Sequence, residues 1–164
     1  LARQKAQADL LRAFAKIPEA ERGTLVILGE GPLRQALEVE AVNLGIDDQL
    51  WLPGFLDNPW WFVARSDVFA LSSLWEGFAR VLVEALACGI SVVSTDCPSG
   101  PREILSCQPG TRLVPPGNPE VMAEAIRAAI QSERCLYHRD LSAFDPTSIA
   151  QRFEALLLPL LRDD

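Results

Sequence analysis

Histidine is almost missing from this sequence: His138 stands alone, and Cys88, Cys97, Cys107 and Cys135 form no CxxC pair. A structural zinc needs four such ligands at short, recurring spacings, so zinc is disfavoured. Scattered cysteines of this kind read as reduced thiols of a cytosolic protein. No Asp-x-Asp pair occurs, which leaves no such carboxylate pair for a metal on a phosphate ligand. No run approaches the ~20 apolar residues that a membrane-spanning helix needs. The first residues do not read as a signal peptide, because Arg3, Lys5, Asp9, Arg12 and Lys16 recur among them in helical rhythm. Basic residues are also few, 15 Lys and Arg against 22 Asp and Glu, for a net charge of −7. That balance argues against nucleic acid as the main partner. It still permits a small anion at a local positive site. Repeats, low-complexity tracts and linkers are lacking too, and 164 residues suit one compact domain.

What remains is an alternation of short apolar runs with longer helical ones. Residues 24–28 (TLVIL), 49–52, 67–71 (DVFAL), 90–94 (ISVVS) and 112–114 read as strands. Residues 5–16, 32–44 and 79–88 carry helical spacing. Pro32 suits the first turn of a helix that Gly45 closes, and Gly89 lies just past the end of another. Asn118-Pro119-Glu120 opens a helix to about residue 132, and a last one runs from Pro146 or Thr147 to Leu158, before Pro159. Strands that are almost continuously apolar, alternating with helices, predict an α/β domain with a parallel sheet covered on both faces. Ligands of such sheets bind beyond the carboxyl ends of the strands. The loops to inspect are therefore 29–32, 53–56, 72–79, 95–103 and 114–118.

The helix ARVLVEALAC at 79–88 is apolar on every side after Arg80, except at Glu84. Such a helix belongs in an interior, where an unpartnered carboxylate is unfavourable. Three readings stay open. Glu84 is salt-bridged to a core-edge arginine, or occupies a narrow exposed strip, or accepts hydrogen bonds from a ligand's hydroxyls, as carboxylates do for vicinal diols. Glu76 lies eight residues earlier, in the loop SSLWEGF, where Gly77 allows a tight turn. The helix that follows points its N-terminal N–H groups toward the same cleft, a favourable place for phosphate. Eight helical residues would rise roughly 12 Å, and a partly turned approach brings the two carboxylates closer. That spacing suits a sugar–diphosphate–ribose ligand.

Residues 72–88, SSLWEGFARVLVEALAC, resemble the E-x7-E motif of the family 4 GT-B glycosyltransferases (glycosyl transferases group 1). Further features of that family follow in the same order: Gly29-Glu30-Gly31-Pro32, Pro53-Gly54-Phe55, Ala64-Arg65-Ser66-Asp67, the SGPREIL run at 99–105, and Leu113-Val114-Pro115-Pro116-Gly117. Two glutamates eight apart mean little alone. The ordered set, spread over nearly the whole chain, is specific.

The resemblance implies a Rossmann-like three-layer αβα domain, the C-terminal, donor-binding half of a GT-B fold. It implies a retaining transfer of a hexose or N-acetylhexosamine from a nucleotide-sugar, UDP-sugar ahead of GDP-sugar, to a glycan or lipid-linked acceptor in bacterial surface polysaccharide synthesis. Glu76 would hold donor-sugar hydroxyls and Glu84 the ribose hydroxyls. Gly77, Phe78 and Ala79 would offer N–H groups to sugar and diphosphate, and Lys5 would neutralise the leaving diphosphate. Gly54 and Phe55 would line the nucleobase side and Gly31 is a further donor-binding position, with Ser73 and Glu103 as further cleft candidates. No cofactor and no metal are implied. The location implied is the cytoplasm or the inner face of the cell membrane.

Departures from the family pattern are few. Ala6 replaces a common glycine, Ala79 a common proline or other small residue, and Asn118 a common aspartate. The family's upstream Gly-Arg pair and acceptor domain are not in this sequence, so residues 1–164 are expected to form one truncated donor domain, inactive alone. Arg80 reads as a surface arginine or an extra phosphate contact, Trp60 and Trp61 as packing, and His138 as structural or exposed. The apolar tail FEALLLPLL (153–161) is expected to be partly exposed or ill-docked, with membrane contact as the competing account. Three rivals remain: a non-catalytic sugar-nucleotide binder, an epimerase of the same fold, and a dinucleotide oxidoreductase. The last fails its fingerprint, because Gly29-Glu30-Gly31-Pro32-Leu33-Arg34 ends in arginine rather than glycine.

Overall fold

The computed structural model describes residues 1–132, 137 and 140–160, with helix residues 152, 153 and 156–160 described by backbone alone. Cys135, His138 and most of the apolar tail lie outside the described side chains. Five parallel strands form where the apolar runs occur: β1 (Leu25–Leu28), β2 (Leu50–Gly54), β3 (Val68–Leu71), β4 (Ser91–Thr95) and β5 (Thr111–Val114). Between and around them lie α1 (Gln7–Lys16), α2 (Arg34–Leu44), α3 (Trp60–Val63), α4 (Arg80–Ala87), α5 (Pro101–Leu105), α6 (Pro119–Gln131) and α7 (Pro146–Leu160). No helix among the described residues is long and apolar enough to cross a membrane.

The strands do not join into one sheet as expected. β1 pairs with β2, while β4 lies between β3 and β5 in a separate three-stranded sheet. Apolar runs specify that a segment is a strand; which edge it offers to which neighbour depends on the packing around it. The two sheets share one core, in which Ile27 and Leu52 of the first meet Val93 and Val114 of the second beneath α1, α2 and α6. Alternation along β4 explains the three layers. Val93 faces that core, whereas its neighbour Val92 faces a second one made with Leu82, Leu86, Ile104 and Leu105 of α4 and α5. Covered on both faces and both edges, β4 is buried along its whole length.

Helix ends follow their local signals. The Asn118 side chain accepts from the Val121 N–H at 3.1 Å, with Pro119 in the first turn of α6, and Gly45 closes α2 at φ 64°. α7 continues to Leu160 instead of ending at Leu158, since proline in a last turn removes only one helix hydrogen bond. Trp60 and Trp61 are largely exposed rather than packed inside. Trp61 lies beneath the Arg65 guanidinium, 4.1 Å from the ring centroid, where the cation is attracted to the ring face.

The first helix is broken where the sequence reads as continuous. Arg3–Lys5 make a tight 3-10 turn, Ala6 adopts the left-handed region at φ 44°, and only then does α1 begin. An alanine there loses about 1–2 kcal/mol to the contact between its Cβ and the backbone. Glycine would remove that strain while adding about 0.4–1 kcal/mol of unfolded-chain entropy. Ala6→Gly is therefore expected to raise stability by about 0.5–1 kcal/mol, read as a higher urea midpoint at unchanged slope.

Candidate functional site

The loop after β3 brings the expected residues together. Glu76 Oε1 accepts from Lys5 Nζ at 2.7 Å and from the Ser73 hydroxyl at 2.5 Å. Glu76 is nearly enclosed, its side chain 7% exposed, while that of Lys5 is 38% exposed. Lys5 reaches this position because the 3-10 turn is tied to the loop. The Ser72 hydroxyl donates to Lys5 O at 2.7 Å, Leu74 N–H to Gln4 O at 2.8 Å, and Gln4 Nε2 to Trp75 O at 2.7 Å. The break at Ala6 thus serves a purpose: it turns Lys5 off the helix and toward the loop. Gln4 and Ser72 were not singled out by sequence reasoning, since their contacts span about seventy residues of chain.

A cleft of about 280 Å³ is lined by Lys5, Glu76, Phe78, Ala79, Arg80, Val81 and Glu84. Ligand pockets usually run from about 300 Å³ upward, so this cleft is at the small end of that range. Glu84 is 29% exposed at the side chain and sits 3.6 Å from the guanidinium of Arg80, itself 81% exposed. An exposed pair one helical turn apart is worth only about 0.3–0.5 kcal/mol, leaving Glu84 available to a competing partner. Glu84 also acts on its helix neighbour Cys88: burial, and then the Glu84 charge, push the Cys88 thiol above its ordinary pKa. Burial does the same to Cys97.

Several expected details differ. Gly77 has no need of a left-handed backbone, and the space where a Cβ would stand is open. Ala79 is buried, Phe78 is exposed, and Ser73 is fully buried with its hydroxyl turned to Glu76 rather than to the cleft. Two N–H groups of the first turn of α4 are already engaged, Arg80 with Phe78 O at 2.9 Å and Leu82 with Ala79 O at 2.8 Å. Gly31, Gly54 and Phe55 do not line this cleft. They cluster at the ends of β1 and β2, where Gly29 N–H donates to Gly54 O at 2.8 Å, Gly31 lies against Leu1, the Glu30 carboxylate presses on Gly54, and Phe55 is exposed. Glu103 is exposed in the first turn of α5, and neighbouring Arg102 pairs with Asp96. No cluster of His, Cys, Asp and Glu suited to a metal occurs among the described residues.

The 97–100 segment buttresses the loop from behind. Glu76 N–H donates to Pro98 O at 3.4 Å. Gly100, at φ 92°, packs so closely that a Cβ would stand 3.3 Å from Ala79 N and 3.4 Å from Gly77 O. Alanine at 100 is expected to lower stability by about 1–3 kcal/mol through backbone strain and to push the 77–79 loop outward. Urea denaturation, with amide exchange followed at residues 77–80, reads both effects; wild-type values for both would show that the loop stands without this support.

Known proteins resemble this chain in sequence and in fold. The family model described as "Glycosyl transferases group 1" matches residues 1–143. An uncharacterized glycosyltransferase of Methanocaldococcus jannaschii is 41% identical over 106 residues, 64% of this chain and 26% of that protein. The N-acetylgalactosamine-N,N'-diacetylbacillosaminyl-diphospho-undecaprenol 4-alpha-N-acetylgalactosaminyltransferase of Campylobacter jejuni is 35% identical over 130 residues, 79% of this chain and 35% of that enzyme. Among solved structures, Anabaena HepE in complex with UDP-glucose superposes with a TM-score of 0.73 at 27% identity, covering 80% of this chain and 37% of HepE. The chain thus spans about a quarter to a third of the length of these relatives.

Proposed function

The chain belongs to the glycosyl transferases group 1 family, and from that premise we infer that residues 1–164 form the donor-binding domain of a retaining hexosyl- or N-acetylhexosaminyltransferase. The donor is a UDP-sugar, with GDP-sugar as the alternative. The Anabaena protein that resembles this chain binds UDP-glucose. The acceptor is a glycan or a lipid-linked sugar engaged by the rest of the longer protein. The Campylobacter relative's own acceptor name, with its diphospho-undecaprenol, is of the second kind. Such an enzyme would work in the cytoplasm, peripherally at the inner membrane face, in surface polysaccharide synthesis.

The observation that carries this reading is the convergence of Lys5, Glu76 and Glu84 on one cleft at the N-terminus of α4. Glu76 accepts hydrogen bonds from donor-sugar hydroxyls, and Glu84 accepts from the ribose after releasing Arg80. Lys5 leaves Glu76 for the diphosphate when the donor arrives. The Lys5 side chain is partly exposed, so its ammonium can swing from the enclosed carboxylate to an anion in the cleft. The dipole of α4 and the N–H groups of Gly77, Phe78 and Ala79 add to the stabilisation of leaving-group charge. Gly54 and Phe55 line the base side of the donor, and Gly31 is a further donor contact. No metal or cofactor is assigned a role.

Calorimetry on the full-length protein with UDP, GDP and ADP tests the reading. UDP is expected to bind best, and Glu84→Gln to weaken it by about 10- to 100-fold, the worth of hydrogen bonds to a charged group. Equal affinity of the variant and the wild type for every nucleotide would remove Glu84 from the site.

A further inference from the structure

We propose that Thr95 is a positioning residue for Glu76, acting through the buried main chain and hydroxyl of Ser73. The proposal rests on the reading of Glu76 as the sugar-hydroxyl acceptor. Thr95 ends β4 and is 2% exposed; Ser73 is fully buried. The Thr95 hydroxyl donates to Ser73 O at 2.5 Å, and the Ser73 hydroxyl donates in turn to Glu76 Oε1 at 2.5 Å. A hydroxyl has a single proton to give, so each donor in this chain is committed to one acceptor. The order of contacts therefore runs one way, from the rigid end of a buried strand to the carboxylate.

Two consequences follow from where the chain ends. Ser73 and Lys5 both donate to Oε1 of Glu76, so on the reading above Oε2 is the oxygen that meets the sugar. The carboxylate is also held from two sides, by the mobile end of a lysine and by a hydroxyl whose own backbone is fixed. When Lys5 moves to the diphosphate, Ser73 remains as the protein donor that keeps the carboxylate in place. Thr95 keeps Ser73 in place. Buried hydrogen-bond chains of this kind hold a site in one geometry, and a site displaced by a fraction of an ångström loses rate before it loses affinity.

The test is made on the full-length protein with Thr95→Val, which keeps the shape and removes the hydroxyl, and Thr95→Ser, which keeps the hydroxyl. UDP affinity and kcat are measured for both, each alone and combined with Glu76→Gln, with amide exchange followed at residues 73–76. Thr95→Val is expected to lower kcat about 5- to 10-fold, the effect of one net hydrogen bond. UDP affinity should stay within about two-fold, and exchange at 73–76 should quicken. Thr95→Ser should restore both quantities. In the Glu76→Gln background the loss should vanish, because residues acting as one unit are not additive. An undiminished loss in that background, or equal losses of kcat and UDP affinity, overturns the proposal. If Glu76→Gln alone turns over at the wild-type rate, the reading of Glu76 fails. The exchange data then decide the Thr95 link separately: unchanged exchange at 73–76 in Thr95→Val overturns it.

Discussion

Glutamine at position 76 is expected to lower turnover of the full-length protein by about 10- to 100-fold, the range for a hydrogen bond to a charged group, with UDP affinity nearly unchanged. The substitution keeps the size of the side chain and changes what its two ends can do. Oε1 receives donors from both Lys5 and Ser73, so the amide oxygen takes that place and the amide nitrogen takes the place of Oε2. On the proposed reading of Glu76, an acceptor that meets the sugar becomes a donor. The effect on stability is read separately: Lys5 is 38% exposed and hydrates when its partner loses charge, but Glu76 is nearly enclosed, so a loss of about 1.5–3 kcal/mol is expected, the range for hydrogen bonds to a charged group. Steady-state kinetics beside urea denaturation separates the two effects. Turnover within two-fold of wild type would remove Glu76 from the chemistry.

Truncating Leu82 to alanine is expected to destabilise the protein by about 3–5 kcal/mol, the range for a buried leucine that leaves a cavity. Leu82 has no exposed surface and packs with Leu86, Val92, Ile104 and Leu105 in the core between α4, α5 and β4. At about 2–4 °C per kcal/mol for a chain of this size, the melting temperature should fall by about 6–20 °C. Val42→Ala, on the open side of α2 where Val42 is exposed, is the matched control and should change stability by no more than about 0.5 kcal/mol. Leu82 stands between Arg80 and Glu84 on the one helix that faces both core and cleft. Loss of its packing should therefore loosen the cleft as well, read as faster amide exchange across 76–84. A melting temperature within about 2 °C of wild type would mean that α4 is not anchored by this side chain.

The same helix shows how much was legible in the sequence. Its apolar run predicted a buried helix, and its one carboxylate predicted a place where burial must be relieved. The structure relieves it by one of the three ways left open, partial exposure, since the arginine near Glu84, Arg80, is itself exposed rather than at the core edge. Strands such as Leu25–Leu28, an apolar run between Gly23 and Gly29, were legible for a similar reason, because short apolar runs bounded by turn residues leave few other conformations. Element ends marked by Gly45 and Asn118 were local events and could be read locally. Trp60 and Trp61 could not, because an aromatic pair is compatible with a core and with a stacked surface cation alike.

Sequence alone determined the α/β class, the positions of the strands, the loops at their carboxyl ends, and the ordered glycines and glutamates that mark the family. Each of these depends on neighbours within a few residues, where backbone sterics, side-chain periodicity and turn chemistry act. Tertiary structure alone decided that β1–β2 and β3–β4–β5 form separate sheets and that the chain breaks at Ala6. It also decided that Ser73 turns inward and that Lys5 meets Glu76 across 71 residues of sequence. Those contacts exist only after packing has chosen which elements lie side by side, a choice set by burial over the whole domain rather than by any local pattern.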